Sequence, residues 1–273
     1  MTVYYFSACG HSLAAAEYCA GAQNTPLLRI LPNGTARAER PPGTVSRAVD
    51  EGDQTAIVVF PVYCQAIPRP VRVFLRGLRA GSVILLATYG RVSHGNVLQK
   101  AQKITPTRVC GAAYLPMGHS YLSGESRMFY NNLEKNNVTP PDGETSLTIP
   151  TDPHTNLDYD LDTAVLDRLL AANREGEVHI PTSPHHLLAG FLPGVRSRVG
   201  VTLRKGANCT GCGKCTAACP FGEMKNGTPG KHCRRCLACV RACPTNALDF
   251  ALTRVMRRYL LRHTKETTAE IYL

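Results

Sequence analysis

Eight of the twelve cysteines in this 273-residue chain fall into two copies of one spacing pattern. The pattern is C-x2-C-x2-C-x3-C-P, first in CTGCGKCTAACP and again in CRRCLACVRACP. The eight residues are Cys209, Cys212, Cys215, Cys219, Cys233, Cys236, Cys239 and Cys243. Thiolates are soft ligands that hold iron–sulfur clusters or zinc. Clustered cysteines in a reducing compartment favour metal over disulfides, so the pattern predicts a metal-binding region.

Three cysteines at two-residue gaps favour iron–sulfur chemistry, because zinc sites usually pair two CxxC elements across a longer gap. The doubled run resembles the bacterial two-cluster ferredoxins, in which the fourth cysteine of each run binds the other cluster. The resemblance implies two [4Fe–4S] clusters with exchanged ligands. One would be held by Cys209, Cys212, Cys215 and Cys243, and the other by Cys233, Cys236, Cys239 and Cys219. A pair of structural zinc sites is the alternative.

The positive charge of the chain is concentrated beside these cysteines. Residues 196–273 hold 15 Lys+Arg and 4 Asp+Glu, a difference of +11, whereas residues 1–195 hold 16 of each. Basic side chains among the ligands offset the negative charge of clusters and favour their reduced form. Because the clusters account for much of the excess, we do not predict nucleic-acid binding.

The preceding part of the chain alternates apolar, strand-like segments with helix-like segments. The predicted strands are 3–7, 27–30, 55–63, 82–90 and 108–116. The predicted helices are 12–22, 68–78, 93–104 and 161–173, with a basic amphipathic helix at 253–263. Near-continuous apolar strands between helices indicate an α/β fold, a doubly wound parallel sheet covered on both faces. A small α+β unit carrying the cysteines follows it.

A short loop between the first strand and the first helix has the composition of a phosphate-binding site. It reads SACGHS and comprises Ser7, Ala8, Cys9, Gly10, His11 and Ser12. Glycine, hydroxyl groups and a helix N-terminus attract a phosphate, and the lack of GxGxxG disfavours a dinucleotide. The loop resembles the flavodoxin phosphate loop, [ST]-x-T-G-x-[ST], which binds FMN. It departs from that pattern at Cys9, where a threonine is usual.

The resemblance implies a flavodoxin-like fold with FMN at the carboxyl ends of the strands. The loops after the third and fourth predicted strands would flank the flavin ring. Their candidate residues are Pro61, Val62, Tyr63, Cys64, Thr88, Tyr89 and Gly90. Tyr63 and Tyr89 are the candidates for stacking on the ring, with ordinary packing at strand ends as the alternative. The whole chain resembles fusions of a flavodoxin-like domain with a bacterial two-cluster ferredoxin.

The expected domain organisation follows from these motifs. We expect an FMN-binding domain over 1–175 with an irregular insertion at 117–160, a connector over 176–200 and a ferredoxin domain over 201–250. A basic helix and tail over 251–273 would cover its own domain, or dock on an acidic partner or membrane surface. The first residues lack a signal-peptide pattern and no apolar run is long enough to cross a bilayer, which predicts a cytoplasmic protein without a transmembrane segment.

The predicted function is that of an electron-transfer iron–sulfur flavoprotein. It would relay single electrons between two [4Fe–4S] clusters and FMN, with a redox protein as donor or acceptor, or a small-molecule acceptor. One alternative is an FMN-dependent reductase whose 117–160 segment supplies substrate contacts from His119, Tyr121, Arg127 and Tyr130. No acid–base constellation is visible, so no catalytic residue is predicted. A redox sensor is the third possibility.

Overall fold

Nineteen helices and strands are assigned in the part of the chain that the structure, a computed structural model, describes: residues 1–40, 52, 54–122, 161–172, 175–183 and 193–273. The first nine are β1 Thr2–Tyr5, α1 His11–Ala22, β2 Leu27–Ile30, β3 Ala36–Arg40, β4 Thr55–Pro61, α2 Arg69–Gly77, β5 Ser82–Tyr89, α3 Val97–Ile104 and β6 Val109–Pro116. The next five are α4 Thr163–Ala171, α5 Pro193–Gly200, β7 Val201–Lys205, α6 Lys214–Ala217 and β8 Met224–Lys225. The last five are β9 Thr228–Pro229, α7 Ala238–Arg241, β10 Leu248–Leu252, α8 Arg254–His263 and β11 Glu270–Tyr272.

A seven-stranded sheet has the order β11-β6-β5-β4-β1-β2-β3. The five inner strands are parallel, and the two edge strands β3 and β11 are antiparallel to their neighbours. The parallel order β2-β1-β4-β5-β6 is the flavodoxin-like order, with the topological switch between β1 and β4. The predicted α/β fold class is therefore confirmed, and all five predicted strands are present.

Both faces of the sheet are covered by helices, as the apolar strand sequences require. Strands β5 and β6 are buried at every residue, because a parallel strand between two helical layers has no solvated face. Helices α2 and α3 pack on one face and helices α1 and α4 on the other. This frame holds the carboxyl ends of β1, β4, β5 and β6 along one edge.

Residues 175–183, at the start of the expected connector, pack against this frame. The Val178 amide donates to the Val109 carbonyl oxygen at 2.9 Å. Val178 and Ile180 are buried in the core beside α2 and α3. We call residues 1–183 the sheet unit. Residues 123–160 of the predicted insertion, with Arg127 and Tyr130, lie outside the described residues.

Residues 201–252, which we call the cysteine unit, form a small α+β arrangement. Strands β7 and β10 pair in antiparallel fashion, β8 and β9 form a hairpin, and helices α6 and α7 each begin inside one cysteine run. The residue before each short helix has a left-handed backbone, Gly213 with φ 74° and Leu237 with φ 65°. The two runs thus share a local fold as well as a spacing.

The chain returns to the sheet unit after the cysteine unit, a return that no pattern in the sequence predicts. Helix α8 is followed by β11, which pairs with β6 so that Ile271 lies opposite Ala113. His94 Nε2 lies 3.0 Å from Glu270 Oε1, and the Lys265 amide donates to the Arg91 carbonyl oxygen at 3.2 Å. The segment that follows the cysteine unit is therefore anchored on the sheet. Within the described ranges, no helix combines the length and apolar character needed to traverse a bilayer.

Candidate cofactor sites

Two small cavities in the cysteine unit are each lined by four cysteines. The first is lined by Cys209, Cys212, Cys215 and Cys243. The second is lined by Cys219, Cys233, Cys236 and Cys239. Each set takes three residues from one run and the fourth from the other, which is the grouping that the ferredoxin resemblance implies. Among the described residues, no group of three or more Cys, His, Asp or Glu side chains is arranged to bind a single metal ion. The cysteines are instead spread around the two cavities.

The fourth cysteine of each run is held by the same local contact. Cys219 Sγ accepts a hydrogen bond from the Glu223 amide at 3.3 Å, and Cys243 Sγ accepts one from the Ala247 amide at 3.2 Å. In both runs the donor lies four residues after the cysteine. Amide hydrogen bonds to ligand sulfurs stabilise negative charge and are one of the means by which a protein sets cluster potential.

A larger cavity of about 190 Å³ lies at the carboxyl ends of β1, β4, β5 and β6. All of the predicted FMN-site residues except Gly10 line it. They are Ser7, Ala8, Cys9, His11, Ser12, Pro61, Val62, Tyr63, Cys64, Thr88, Tyr89 and Gly90. The three loops that the sequence analysis selected therefore meet at one place, because the carboxyl ends of parallel strands share one edge of the sheet.

The loop before α1 has the shape of an anion cradle. Gly10, the residue before the helix, has φ 96°, a conformation that suits glycine, and its amide donates to Ser7 Oγ at 3.2 Å. Ser12 Oγ lies 2.7 Å from Thr88 Oγ1, which joins this loop to the end of β5. In α-helices the amides of the first turn have no acceptor within the helix, and such amides commonly bind anions.

His11 sits in this cradle as a neutral imidazole. Burial, followed by the nearby Arg241 and His119, lowers the pKa of His11 to about 4. Burial likewise lowers the pKa of His119 to about 4. At pH 7 both imidazoles can donate and accept hydrogen bonds without adding formal charge to the cavity.

Tyr63 and Tyr89 both line the cavity, at different loops. Tyr63 follows β4 in a tight turn in which Cys64 and Gln65 have φ 50° and 60°. Its ring lies 5.8 Å from the ring of Phe221, a residue of the cysteine unit. Tyr89 ends β5, and its hydroxyl donates to Thr267 Oγ1 at 3.2 Å. Each tyrosine therefore contacts neighbouring residues and also lines the cavity.

The structure adds three groups of lining residues that the sequence analysis did not assign to the FMN site. The first is the loop after β6, Met117–Tyr121, together with Gln65, Val92 and Ser93. The second comes from the cysteine unit: Val201, Arg234, Arg235 and Cys236. The third comes from α8: Met256, Tyr259 and Leu260. The loop after β6 lies at the carboxyl end of a parallel strand, as the other loops do. No local sequence signal predicts that the other two groups line this cavity.

The two units touch directly at the phosphate-type loop. Cys9 Sγ donates to the Cys236 carbonyl oxygen at 2.8 Å, and Arg241 Nη1 donates to the Cys9 carbonyl oxygen at 3.2 Å. The Tyr121 hydroxyl donates to the Arg235 carbonyl oxygen at 2.8 Å. Cys236 lines both the large cavity and the second cysteine cavity. The two sites are therefore adjacent and share a wall.

Comparison with protein families identifies both cysteine runs. Two family models match, each described as a 4Fe-4S binding domain, one over residues 231–249 and the other over residues 207–222. The cysteine unit is thus an iron–sulfur region with two [4Fe–4S] motifs, as predicted.

Two solved structures resemble about half of this chain. One is a proposed flavoprotein from Bacteroides uniformis, with 22% identity, a TM-score of 0.31, and coverage of 49% of this chain and 96% of that chain. The other is a proposed flavoprotein from Bacteroides eggerthii, with 19% identity, a TM-score of 0.29, and coverage of 50% and 98%. No curated protein sequence matches the chain.

Proposed function

We propose that this protein is an electron-transfer iron–sulfur flavoprotein in which two [4Fe–4S] clusters exchange electrons with FMN. The observation that carries the proposal is the shared wall: Cys236 belongs to the second cysteine cavity and also lines the large cavity of the sheet unit. A cluster moves one electron at a time, and FMN supplies chemistry in steps of one or two electrons. The protein's task is to hold these groups close together.

The four-cysteine cavities fit clusters by the chemistry of their donors. Cys209, Cys212, Cys215 and Cys243 would hold the first cluster. Cys219, Cys233, Cys236 and Cys239 would hold the second. Soft thiolate sets of this kind suit iron–sulfur clusters, and the family matches over both runs support iron rather than zinc.

The large cavity fits FMN by its position and by its lining. The Ser7–Ser12 loop offers amides, hydroxyls and a helix N-terminus for the phosphate. Tyr63 and Tyr89 offer aromatic surface for the ring. The site lies at the topological switch of a flavodoxin-like sheet, where ligands of this fold bind.

The exposure of the cysteines supports an order for the relay. Cys212 is exposed, and Cys209 is half-buried, so the first cluster would lie near the surface. Cys233, Cys236 and Cys239 are buried, and the second cluster would face the flavin. A redox protein would therefore exchange electrons at the first cluster, and the second cluster would pass them to or from FMN.

The test is to purify the chain without oxygen and to measure its iron, sulfide and flavin. The proposal expects about eight irons and one FMN per chain, since each [4Fe–4S] cluster contains four irons. A Cys236→Ala variant is the internal control and should lose about half of the iron. Zinc in place of iron, or eight irons with no affinity for FMN, would contradict the proposal.

A second candidate, an FMN-dependent reductase of a small molecule, is favoured by the loop after β6. His119 and Tyr121 line the flavin cavity, where they could contact a substrate. The distinguishing measurement is oxidation of the reduced flavin under anaerobic conditions. The reduced flavin of an enzyme would be reoxidised by one specific small molecule among those tested. The reduced flavin of a carrier would be reoxidised only by redox proteins.

A further inference from the structure

The formal charge in the lining of the large cavity comes entirely from the cysteine unit. Among its described lining residues, Arg234 and Arg235 are positively charged and none is Asp, Glu or Lys. The Nη1 atom of each arginine is buried and has no hydrogen-bond acceptor among the described residues. A buried cationic donor without an acceptor is unfavourable, so these two atoms point to an anionic ligand.

Arg234 also lines the second cysteine cavity, but the first run lines its own four-cysteine cavity without any arginine. Arg234 and Arg235 correspond to Thr210 and Gly211 of the first run, which lines its own four-cysteine cavity. Gly211 has φ 70° and Arg235 has φ 55°, so both occupy the left-handed region. That region disfavours a residue with a side chain, and glycine satisfies it without strain. The second run therefore keeps an arginine where its own fold would favour glycine.

The arginines of the second run lie against the sheet unit. Arg241, which corresponds to Ala217 of the first run, donates to the Cys9 carbonyl oxygen at 3.2 Å. Arg235 donates through Nε to the Val201 carbonyl oxygen at 3.2 Å, which orients its guanidinium while Nη1 stays unpaired among the described residues. The Cys9 thiol donates to the carbonyl oxygen of Cys236, the residue that directly follows the arginine pair, so the phosphate-type loop and the second cysteine run meet at the cavity that both line.

We propose that Arg234 and Arg235 bind the phosphate group of the flavin across the boundary between the two units. This inference rests on the proposed function. A phosphate monoester carries a charge of about −1.5 to −2 at pH 7, and the two guanidinium groups match it in charge and in hydrogen-bonding geometry. The Ser7–Ser12 loop supplies neutral donors only, because the His11 imidazole is uncharged at this pH. The cysteine unit thus completes the phosphate site.

A consequence is that flavin binding and docking of the two units support one another. A ligand that contacts both units stabilises their docked arrangement, and the docked arrangement binds that ligand more tightly. Bound FMN would then help to hold Cys236, and with it the second cysteine set, at the wall of the large cavity. Riboflavin, which has no phosphate, would lack this effect.

The test rewrites the second run to match the first, as the double variant Arg234→Thr and Arg235→Gly. Its control, Lys214→Ala and Lys225→Ala, removes the same charge from exposed positions of the cysteine unit outside the cavity. Dissociation constants for FMN and for riboflavin are measured by flavin fluorescence at two salt concentrations, after iron analysis. We expect the double variant to keep its iron and to bind FMN about 10- to 100-fold more weakly. Riboflavin binding should be unchanged.

The ratio of FMN affinity to riboflavin affinity decides the outcome. A ratio that falls in the double variant, stays constant in the lysine control and becomes less dependent on salt supports the inference. An unchanged ratio, or equal weakening of both flavins, overturns it. A wild-type protein that binds neither flavin would overturn the proposed function itself. If the double variant loses iron, the single variant Arg234→Thr takes its place, because it leaves the backbone at residue 235 unchanged. The single variant must then show part of the same fall in the ratio of FMN affinity to riboflavin affinity.

Discussion

Cys9 shows how one residue can depart from a family pattern and acquire a different partner. The flavodoxin pattern has a threonine at this position, whose hydroxyl serves the phosphate. Here the thiol donates to the carbonyl oxygen of Cys236 in the other unit, at 2.8 Å. Cys9 is 8% exposed and packs with Val201, Leu237 and Phe250 of the cysteine unit. Its role in the structure is therefore to join the two units beside the proposed flavin.

Replacing Cys9 by alanine tests that role. A single neutral hydrogen bond contributes about 1 kcal/mol, which corresponds to about fivefold in an opening equilibrium. We expect Cys9→Ala to speed amide hydrogen exchange about fivefold in peptides that contain residues 235–237. Cys9→Ser keeps a donor and should exchange nearly as slowly as the wild type.

Cys110→Ala is the matched control for that prediction. Its thiol also approaches a carbonyl oxygen, that of Val83 at 3.7 Å, but both residues belong to the sheet unit. The control should leave exchange at residues 235–237 unchanged. Equal exchange rates in Cys9→Ala and the wild type would show that the thiol does not couple the units.

Among the elements, α8 and β11 act together as a cover that is anchored on the sheet. Met256, Tyr259 and Leu260 of α8 line the large cavity. Strand β11 then pairs with β6, a strand whose residues are all buried and which would otherwise form the edge of the sheet. Because an uncovered apolar edge strand is a site for aggregation, β11 protects the sheet as well as fixing α8.

A proline in β11 should loosen this cover. Ile271→Pro removes an amide from the middle of the strand and restricts its backbone, and we expect it to weaken the pairing with β6 by about 1–3 kcal/mol. The predicted result is faster FMN dissociation and a greater tendency to self-associate. Stopped-flow fluorescence and light scattering measure the two effects. Thr268→Pro, at an exposed position before the strand, is the control and should change neither.

If Ile271→Pro releases FMN at the wild-type rate, α8 holds its position without help from β11. Its own packing offers one such means, since an added Cβ at Gly200 would collide with the Met256 side chain. That close approach already places the end of α5 against α8. Only a change in the FMN dissociation rate assigns a role in flavin retention to β11.

The molecule as a whole has a gradient of burial from the first cysteine set to the second. Cys212 is exposed, whereas Cys236 is buried and lines the large cavity. Electron transfer with a protein partner needs a redox centre near the surface, while transfer to FMN needs one beside the cavity. The two clusters would therefore have different tasks although their motifs are alike.

Removing one cluster at a time tests this division. Cys212→Ala should lose the first cluster and keep the second together with FMN. Flavin reduction by a reduced ferredoxin, followed by stopped-flow absorbance, should then slow by about tenfold or more. Cys236→Ala should block transfer from the first cluster to the flavin while that cluster still accepts electrons. A wild-type rate of flavin reduction in Cys212→Ala would contradict the proposed order.

The sequence predicted the parts of the site that depend on local rules. The cysteine spacing predicted iron–sulfur chemistry, and the resemblance to two-cluster ferredoxins implied the two four-residue sets that line the two small cavities. The apolar strands predicted the parallel sheet, the composition of Ser7–Ser12 predicted a phosphate loop, and the flavodoxin resemblance implied the loops at Pro61–Cys64 and Thr88–Gly90. Strand β3 escaped prediction because its sequence, ARAER, is short and charged, and β11 because three residues carry too little periodicity.

The amino-acid sequence by itself determined the iron–sulfur chemistry of the cysteine unit and the fold class of the sheet unit, because thiol spacing and hydrophobic periodicity act over a few residues. Only the tertiary structure decided that Arg234, Arg235 and Cys236 border the cavity of the sheet unit, that Cys9 bonds to Cys236, and that α8 covers the site. The contact between Cys9 and Cys236 joins residues 227 positions apart. These contacts arise from the docking of two separately patterned units, a long-range event that leaves no periodic or spacing signal along the chain.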